Sequence, residues 1–82
     1  MNNWLTTGNC LEKTYTFASF EAAMLFMQQA TLKITALDHH PTWTNTYNRI
    51  HVSLQTHDAG NQVTQKDLAL ANELDELFQN FD

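Results

Sequence analysis

The 82-residue sequence has one cysteine, one proline and two glycines, and it lacks any long uninterrupted apolar run. A lone cysteine, Cys10, cannot form a disulfide within the chain. A small fold without that crosslink is typical of a reducing compartment, so we predict a cytoplasmic protein. The start of the chain has neither the basic residues nor the apolar stretch of a secretory signal. No segment approaches the roughly 18 consecutive apolar residues that predict a membrane span.

Linkers and basic residues are also scarce. No Ser/Gly-rich or charge-rich stretch divides the chain, which predicts a single domain over residues 1–82. Nine acidic residues against four Lys and Arg give a formal net charge of -5. That charge repels nucleic-acid phosphates and anionic lipid headgroups. We therefore expect neither nucleic acid nor a membrane as a direct partner.

The first third of the chain has the pattern of two short strands. Strands are predicted at 5–7 and 11–17, on either side of the turn at Gly8 and Asn9. In the second strand apolar and polar residues alternate, with Lys13 as one polar residue among the apolar positions. This alternation predicts a sheet with one buried face.

The period changes to that of a helix after Ser19, which is placed to cap it. The helix is predicted to run to about Leu37, because Pro41 disfavours a helical conformation at the residue before it. Its predicted apolar face comprises Phe20, Ala23, Met24, Met27, Ala30, Thr31 and Ile34. Met24, Phe26 and Met27 are assigned to the core or to a subunit interface.

The second half repeats this order. Strands are predicted at about 44–47 and at 50–54, followed by a turn at 58–61. Thr64 can cap a final helix, with Asp67 at its third position in an arrangement close to a capping box. The apolar face of this helix comprises Leu70, Ala71, Leu74, Leu77, Phe78 and Phe81.

The order ββαββα predicts an α+β fold of two layers, in which both helices cover one face of a four-stranded antiparallel sheet. A chain of this length buries only about 60 to 65% of the surface of its unfolded state, so its core is marginal. Self-association would relieve that limit, and the open face or the edge of the sheet is left for a partner subunit.

All four histidines lie between positions 39 and 57. His39 and His40 fall in the connection between the first helix and the third strand, where a rigid scaffold can present polar groups to a ligand. His57 follows the fourth strand, and a sheet folded beneath the helix can bring it near the pair. With ordinary pKa values of about 6.5, imidazoles exchange protons near neutrality, which suits a proton-transfer site. His51 shares the polar face of its strand and is predicted to be solvated.

Neighbouring residues have both structural and functional interpretations. Trp43 offers a flat face for an aromatic heterocycle, although a tryptophan also commonly packs in a core or an interface. Pro41 limits the freedom of the histidine pair, and Asp67 is favourable as a capping carboxylate. Trp4 and Cys10 are predicted to pack. Three histidines could hold zinc, but the usual local metal signatures are absent, so no metal or cofactor is predicted.

The segment DHHPTWTNTYNRIHVSLQTHD, followed by TQKDLALA, resembles the pterin-4a-carbinolamine dehydratases, a family also known as the dimerisation cofactor of a homeodomain transcription factor. The run FASFEAAMLF resembles the first helix of that family, so the resemblance extends from about residue 4 to residue 77. Longer members carry an extension ahead of the first strand. Thr35 departs from the family pattern, because that position usually holds an ionisable residue. The matching residues are His39, His40, Pro41, Trp43, Asn45, Tyr47, Asn48, Thr56, His57 and Asp67.

The resemblance implies a dehydratase that removes water from a 4a-hydroxytetrahydropterin to give the quinonoid dihydropterin, which supports cofactor recycling for an aromatic amino acid hydroxylase. It implies His39 and His57 as the acid–base pair, with the two roles left open between them, and His40 as a group that orients the substrate. Asp67 would hold a histidine tautomer or contact the pterin. The family also implies a homodimer or homotetramer. The implied substrate-binding residues are Pro41, Trp43, Thr56, Asp58, Ala59 and Asp67.

Two alternatives stay open at this stage. The chain could be a non-catalytic or weakly catalytic module that assists oligomerisation or transcriptional regulation, and Thr35 gives that hypothesis weight. It could instead be a metal-dependent hydrolase that uses the same histidines.

Overall fold

The computed structural model describes residues 3–81. The predicted ββαββα order and α+β class are confirmed, and the first helix has the predicted limits. The third strand begins two residues earlier than expected. The elements are β1 (Leu5–Thr7), β2 (Cys10–Thr16), α1 (Phe20–Leu37), β3 (Thr42–Thr46), β4 (Arg49–Leu54) and α2 (Gln65–Phe78), with one turn of 3-10 helix at His57–Ala59.

The four strands form one antiparallel sheet in the order β1-β2-β4-β3. The central strands pair Tyr15 with Ile50, and the β3–β4 hairpin pairs Trp43 with Val52. Tyr47 lies in the turn of this hairpin in the left-handed region, with φ of 52°. In this strand order, β1 and β3 are the edges of the sheet.

Side chains on one face of the sheet form the core with both helices. Alternate residues of the central strands, such as Leu11, Tyr15 and Val52, are buried, whereas Thr14 and His51 on the opposite face are exposed. Period-2 alternation places successive side chains on opposite faces. The predicted two-layer arrangement follows from this pattern.

The helix α1 begins where predicted, because the Ser19 hydroxyl oxygen accepts the backbone N–H of Ala22 at 3.1 Å. Its buried face differs from the predicted one. Phe20 is 42% exposed and Thr31 is exposed, whereas Phe26 is fully buried. Ala23, Ala30 and Ile34 of the predicted face are buried, and Phe26 is in the core. The Phe26 ring packs against Tyr15 and Phe17, and with this packing Phe20 and Thr31 lie outside the buried face. The fully or nearly fully buried residues of α1 are Ala23, Phe26, Ala30 and Ile34.

A polar cluster fastens α2 to the sheet at the edge of the core. The Asp75 carboxylate accepts hydrogen bonds from Trp4 Nε1 at 3.0 Å, from Lys13 Nζ at 2.7 Å and from the Tyr15 hydroxyl at 2.6 Å. Lys13, the polar residue among the apolar positions of β2, thus forms an ion pair with Asp75. Within residues 3–81, no helix is long and apolar enough to cross a membrane.

Candidate active site

The first two histidines are positioned by the end of α1. Asp38 adopts the left-handed conformation, with φ of 49° and ψ of 44°, and its backbone N–H bonds back to the last turn of the helix. The next N–H, that of His39, reaches the carbonyl oxygen of Ile34 at 3.3 Å. This turn directs the His39 side chain inward, where it is only 8% exposed, while His40 stays exposed.

A buried carboxylate holds His39. Asp67 is fully buried at the start of α2, and its Oδ1 lies 2.6 Å from His39 Nε2. Its Oδ2 accepts the Thr56 hydroxyl and the Thr64 backbone N–H, each at 2.8 Å. The bond from the Thr64 amide completes a capping box, as the sequence predicted. One carboxylate therefore caps α2 and binds an imidazole from the far end of α1.

The protonation of this pair follows from the contacts of Asp67. Burial acts to raise the pKa of the carboxyl, but the hydrogen bonds from His39, Thr64 and Thr56 outweigh it and hold the pKa below its ordinary value. An ionised carboxylate can only accept hydrogen bonds. His39 Nε2 therefore carries the hydrogen, and Nδ1 is the ring nitrogen that remains for a ligand.

The third histidine belongs to the short turn that follows β4. His57 begins this 3-10 turn, which is closed by Gly60 and Asn61 in the left-handed region, with φ of 78° and 59°. Nδ1 of His57 lies 2.9 Å from the Asn61 side-chain oxygen. Because an amide oxygen only accepts, Nδ1 donates there and Nε2 is left for a ligand.

One hollow of about 240 Å³ brings the three predicted catalytic histidines together. It lies between the end of α1, the turn after β4 and the start of α2. Two further predicted residues, Thr56 and Asp58, also line it. Its complete lining is Asp38, His39, His40, Gln55, Thr56, His57, Asp58 and Lys66.

Other predicted site residues lie around this hollow rather than at its surface. Asp67 is behind His39, and Ala59 lines an adjoining hollow of about 410 Å³ together with Thr64. Trp43 is half-buried and packs against the core on the covered face of the sheet, and Pro41 precedes it in the connection. These two residues do not line the histidine hollow.

Three lining residues, Asp38, Gln55 and Lys66, were not singled out from the sequence. Each is next in the chain to a predicted residue, so adjacency was the only signal available. His51, by contrast, lies on the exposed face of the sheet, where Nε2 is 2.8 Å from Glu12 and Nδ1 is 2.8 Å from Thr14. His51 is remote from the hollow, as the alternation of apolar and polar residues in its strand predicted.

The remaining chemistry concerns metals and the departure at position 35. Among residues 3–81, no group of three or more His, Cys, Asp or Glu side chains is arranged to hold a metal ion. Thr35 is exposed on the last turn of α1. The hollow itself offers the imidazole, carboxylate and ammonium groups of its lining, which are groups suited to proton transfer.

Comparison with known proteins shows the family to which the chain belongs. The family profile described as Pterin 4 alpha carbinolamine dehydratase matches residues 1–77. The chain belongs to that family. A provisionally named pterin-4-alpha-carbinolamine dehydratase of Opitutus terrae is 47% identical over 77 residues, which cover 94% of this chain and 79% of that protein. A protein of Solibacter usitatus with the same provisional name is 46% identical over 74 residues, or 90% of this chain and 77% of its own.

Solved structures share the fold. The crystal structure of a transcriptional coactivator/pterin dehydratase from Brucella melitensis has a TM-score of 0.88 and 35% identity, covering 94% of this chain and 83% of its own. A pterin dehydratase-like protein described as a RuBisCO assembly factor in the alpha-carboxysome has a TM-score of 0.73 at 16% identity, over 90% of this chain and 84% of its own. The second likeness concerns the fold alone.

Proposed function

We propose that this member of the pterin carbinolamine dehydratase family eliminates water from a 4a-hydroxytetrahydropterin to form the quinonoid dihydropterin. The observation that carries the proposal is the meeting of three imidazoles at one hollow. In two of them an acceptor oxygen holds one ring nitrogen, which leaves His39 Nδ1 and His57 Nε2 for substrate. The hollow of about 240 Å³ is smaller than sites for drug-sized ligands, roughly 300 to 1,000 Å³, and suits a compact heterocycle.

The elimination needs one proton donor and one proton acceptor. The imidazolium of His39 donates its Nδ1 proton to the C4a hydroxyl, and the C4a–O bond breaks to release water. Neutral His57 removes the proton from N5 through Nε2, and the N–H electron pair forms the C4a–N5 double bond. A carboxylate behind an imidazole stabilises its cation, so Asp67 favours His39 as the acid.

The other residues bind and orient the pterin. His40 is exposed at the rim of the hollow, and Thr56 and Asp58 line it together with Gln55. Following the family resemblance, we assign substrate contacts to His40, Thr56, Asp58 and Ala59, and a role in shaping the surroundings of the site to Pro41 and Trp43.

A stopped-flow assay with freshly generated carbinolamine tests the proposal. Substituting His39→Ala or His57→Ala in proteins that remain folded should slow dehydration by about 10²- to 10⁴-fold, the usual contribution of general acid–base catalysis. His51→Ala is the matched control, because that imidazole lies on the opposite face of the sheet. Rates equal to the parent in both site variants would overturn the assignment.

We further propose that the protein forms a homodimer or homotetramer in the cytoplasm and serves an aromatic amino acid hydroxylase. Large apolar side chains of α1 support self-association, because Leu25 is 46% exposed and Leu32 is 73% exposed. Sedimentation at micromolar concentration should show an oligomer. A single monomeric species would contradict this part of the proposal.

The second candidate function is a protein-binding module with weak or absent catalysis. The same exposed apolar residues of α1 favour it, since exposed apolar patches mark interaction sites, and the Brucella relative is described as a transcriptional coactivator as well as a dehydratase. A folded protein that does not accelerate dehydration, but retains a stable protein partner in a native extract, would favour the module.

A further inference from the structure

The directions of the hydrogen bonds behind His39 can be deduced from Asp67. The Thr56 and Thr64 hydroxyl oxygens lie 2.6 Å apart, and geometry alone allows either to be the donor. Thr56 also lies 2.8 Å from Asp67 Oδ2. Because the carboxylate only accepts and a hydroxyl has one hydrogen, Thr56 must donate to Asp67. The hydrogen between the two threonines therefore comes from Thr64.

Thr64 makes a further hydrogen bond that is compatible with its donating to Thr56. Its hydroxyl oxygen accepts the backbone N–H of Lys66 at 3.3 Å as the cap of α2. A hydroxyl can accept this bond and still donate its hydrogen. A continuous chain of donors thus runs from Thr64 to Thr56 to Asp67, and His39 donates to the other carboxylate oxygen.

We propose that the Thr64 hydroxyl is a positioning group for the dehydratase reaction, because its hydrogen bond to the Thr56 oxygen restricts the rotation of that hydroxyl, which donates to Asp67 and helps to orient the carboxylate that holds His39. This inference rests on the proposed function. Thr64 does not line the histidine hollow, so it acts through Thr56 and Asp67 rather than by touching the pterin.

Burial explains why one hydroxyl matters. Thr56 is 6% exposed and Asp67 is fully buried, so water has little access to the hydrogen bond between them. Without the Thr64 hydroxyl, the Thr56 hydroxyl loses the donor that restricts its rotation, and its hydrogen bond to Asp67 weakens. Asp67 keeps its contacts with the Thr64 backbone N–H and with His39, but it loses one of the three contacts that set its orientation, and the His39 ring shifts with it. A displacement of about 1 Å in a reacting group can cost about 100-fold in rate.

The experiment separates the hydroxyl from the helix cap. Thr64→Val keeps the shape but removes the hydroxyl, Thr64→Gly also removes it at a residue type tolerated as a cap, and Thr64→Ser restores it. We expect Thr64→Val and Thr64→Gly to lower kcat by about ten-fold, which is less than the loss of about 100-fold for a displacement of about 1 Å. KM should change little. Ser should restore the parent rate.

A spectroscopic readout tests the positioning without the reaction. In the substrate-free parent, the ¹⁵N imidazole spectrum should show His39 protonated at Nε2 when neutral, whereas Val and Gly should show mixed tautomers. The ring lies beside Asp67 and faces a hollow that also holds Asp38, His40, His57, Asp58 and Lys66. Spectra are therefore compared at several pH values, and the His39→Gln variant assigns the signal.

Thr14→Val is the matched control, because it removes a threonine hydroxyl bonded to a histidine, His51, on the opposite face of the sheet. It should leave kcat and the His39 signal unchanged. Parent-like kcat and a single His39 tautomer in both Val and Gly would overturn the proposal. If the parent itself has no dehydratase activity, the proposed function fails, while the tautomer comparison still decides whether Thr64 positions His39.

Discussion

At the scale of single residues, Asp67 joins the fold to the candidate chemistry. Its two oxygens accept from a helix N-terminal amide, from a buried hydroxyl and from the imidazole at the end of α1. Three partners separated along the chain thus meet at one carboxylate. Both the start of α2 and the orientation of His39 depend on its negative charge.

Replacing this carboxylate by its amide should therefore lower stability. Asp67→Asn weakens the charge-assisted hydrogen bonds and turns an amide N–H₂ group toward donors, so we expect a loss of about 2 to 3 kcal/mol in the free energy of unfolding at pH 7. Urea denaturation followed by circular dichroism measures it. Asp58→Asn is the control, because this exposed carboxylate should change stability by no more than about 0.5 kcal/mol.

The same variant has a defined pH dependence. Because the folded protein holds the pKa of Asp67 below its ordinary value, the stabilisation by its charge is present above the unfolded pKa, about 3.9. It is lost as the pH falls through the lower folded pKa. The free-energy gap between the parent and Asp67→Asn should accordingly shrink below about pH 4. A constant gap from pH 6 down to pH 2 would contradict the ionised state of Asp67.

At the scale of elements, two groups of largely buried polar contacts hold α2 to the rest of the molecule, in addition to its apolar face and an ion pair between Lys33 and Glu73. Its N-terminus is held by the Asp67 contacts, and its third turn by Asp75, which binds side chains of β2 and Trp4. The Lys13 and Asp75 side chains are only 11% and 24% exposed. The polar cluster thus links the helix to the sheet where the apolar core ends.

Replacing Asp75 should remove the polar contacts that join α2 to the sheet. In Asp75→Ala, Lys13 and the Tyr15 hydroxyl lose a charged acceptor in a largely buried position, so we expect a loss of about 2 to 4 kcal/mol in the free energy of unfolding. Glu76→Ala is the control, because this neighbour on α2 is exposed. Equal stabilities of the two variants in urea would show that the cluster does not fasten α2.

At the scale of the whole molecule, the response to alkali depends on Tyr15 in the centre of the sheet. Burial, together with the hydrogen bond to Asp75 and the charge of that residue, raises the pKa of its phenol well above the ordinary value. The folded protein keeps this proton at pH values where the unfolded chain loses it. The stabilisation is therefore complete below about pH 10 and decreases above it.

This effect predicts a steeper alkaline decline in the parent than in Tyr15→Phe. The one-proton difference contributes up to about 1.4 kcal/mol per pH unit above pH 10. Urea denaturation between pH 8 and pH 11 measures the difference between the two proteins, in which the contributions of other titrating groups cancel. A difference that is independent of pH would contradict a buried, protonated Tyr15.

Individual residues show which features of the structure could be predicted from local sequence patterns. Ser19 and Pro41 predicted the limits of α1, and Thr64 and Asp67 predicted the cap of α2. The alternation of apolar and polar residues in β4 predicted that His51 lies on the exposed face of the sheet. Each of these signals acts over only a few residues, through backbone hydrogen bonding or side-chain period. Periodicity predicted Ala23, Ala30 and Ile34 on the buried face of α1, but it also placed Phe20 and Thr31 there. Periodicity gives a spacing, whereas the packing of Phe26 against the sheet decides where the buried face ends.

The order of the elements, the covered face of the sheet and the family were accessible from the linear pattern, because they depend on local periodicity and on a characteristic motif. The contact of His39 with Asp67, the direction of the Thr64-to-Thr56 hydrogen bond and the approach of Lys66 to the histidines depended on folding. These groups are distant in the chain or face one another only across packed elements, and no local rule specifies their separation or direction.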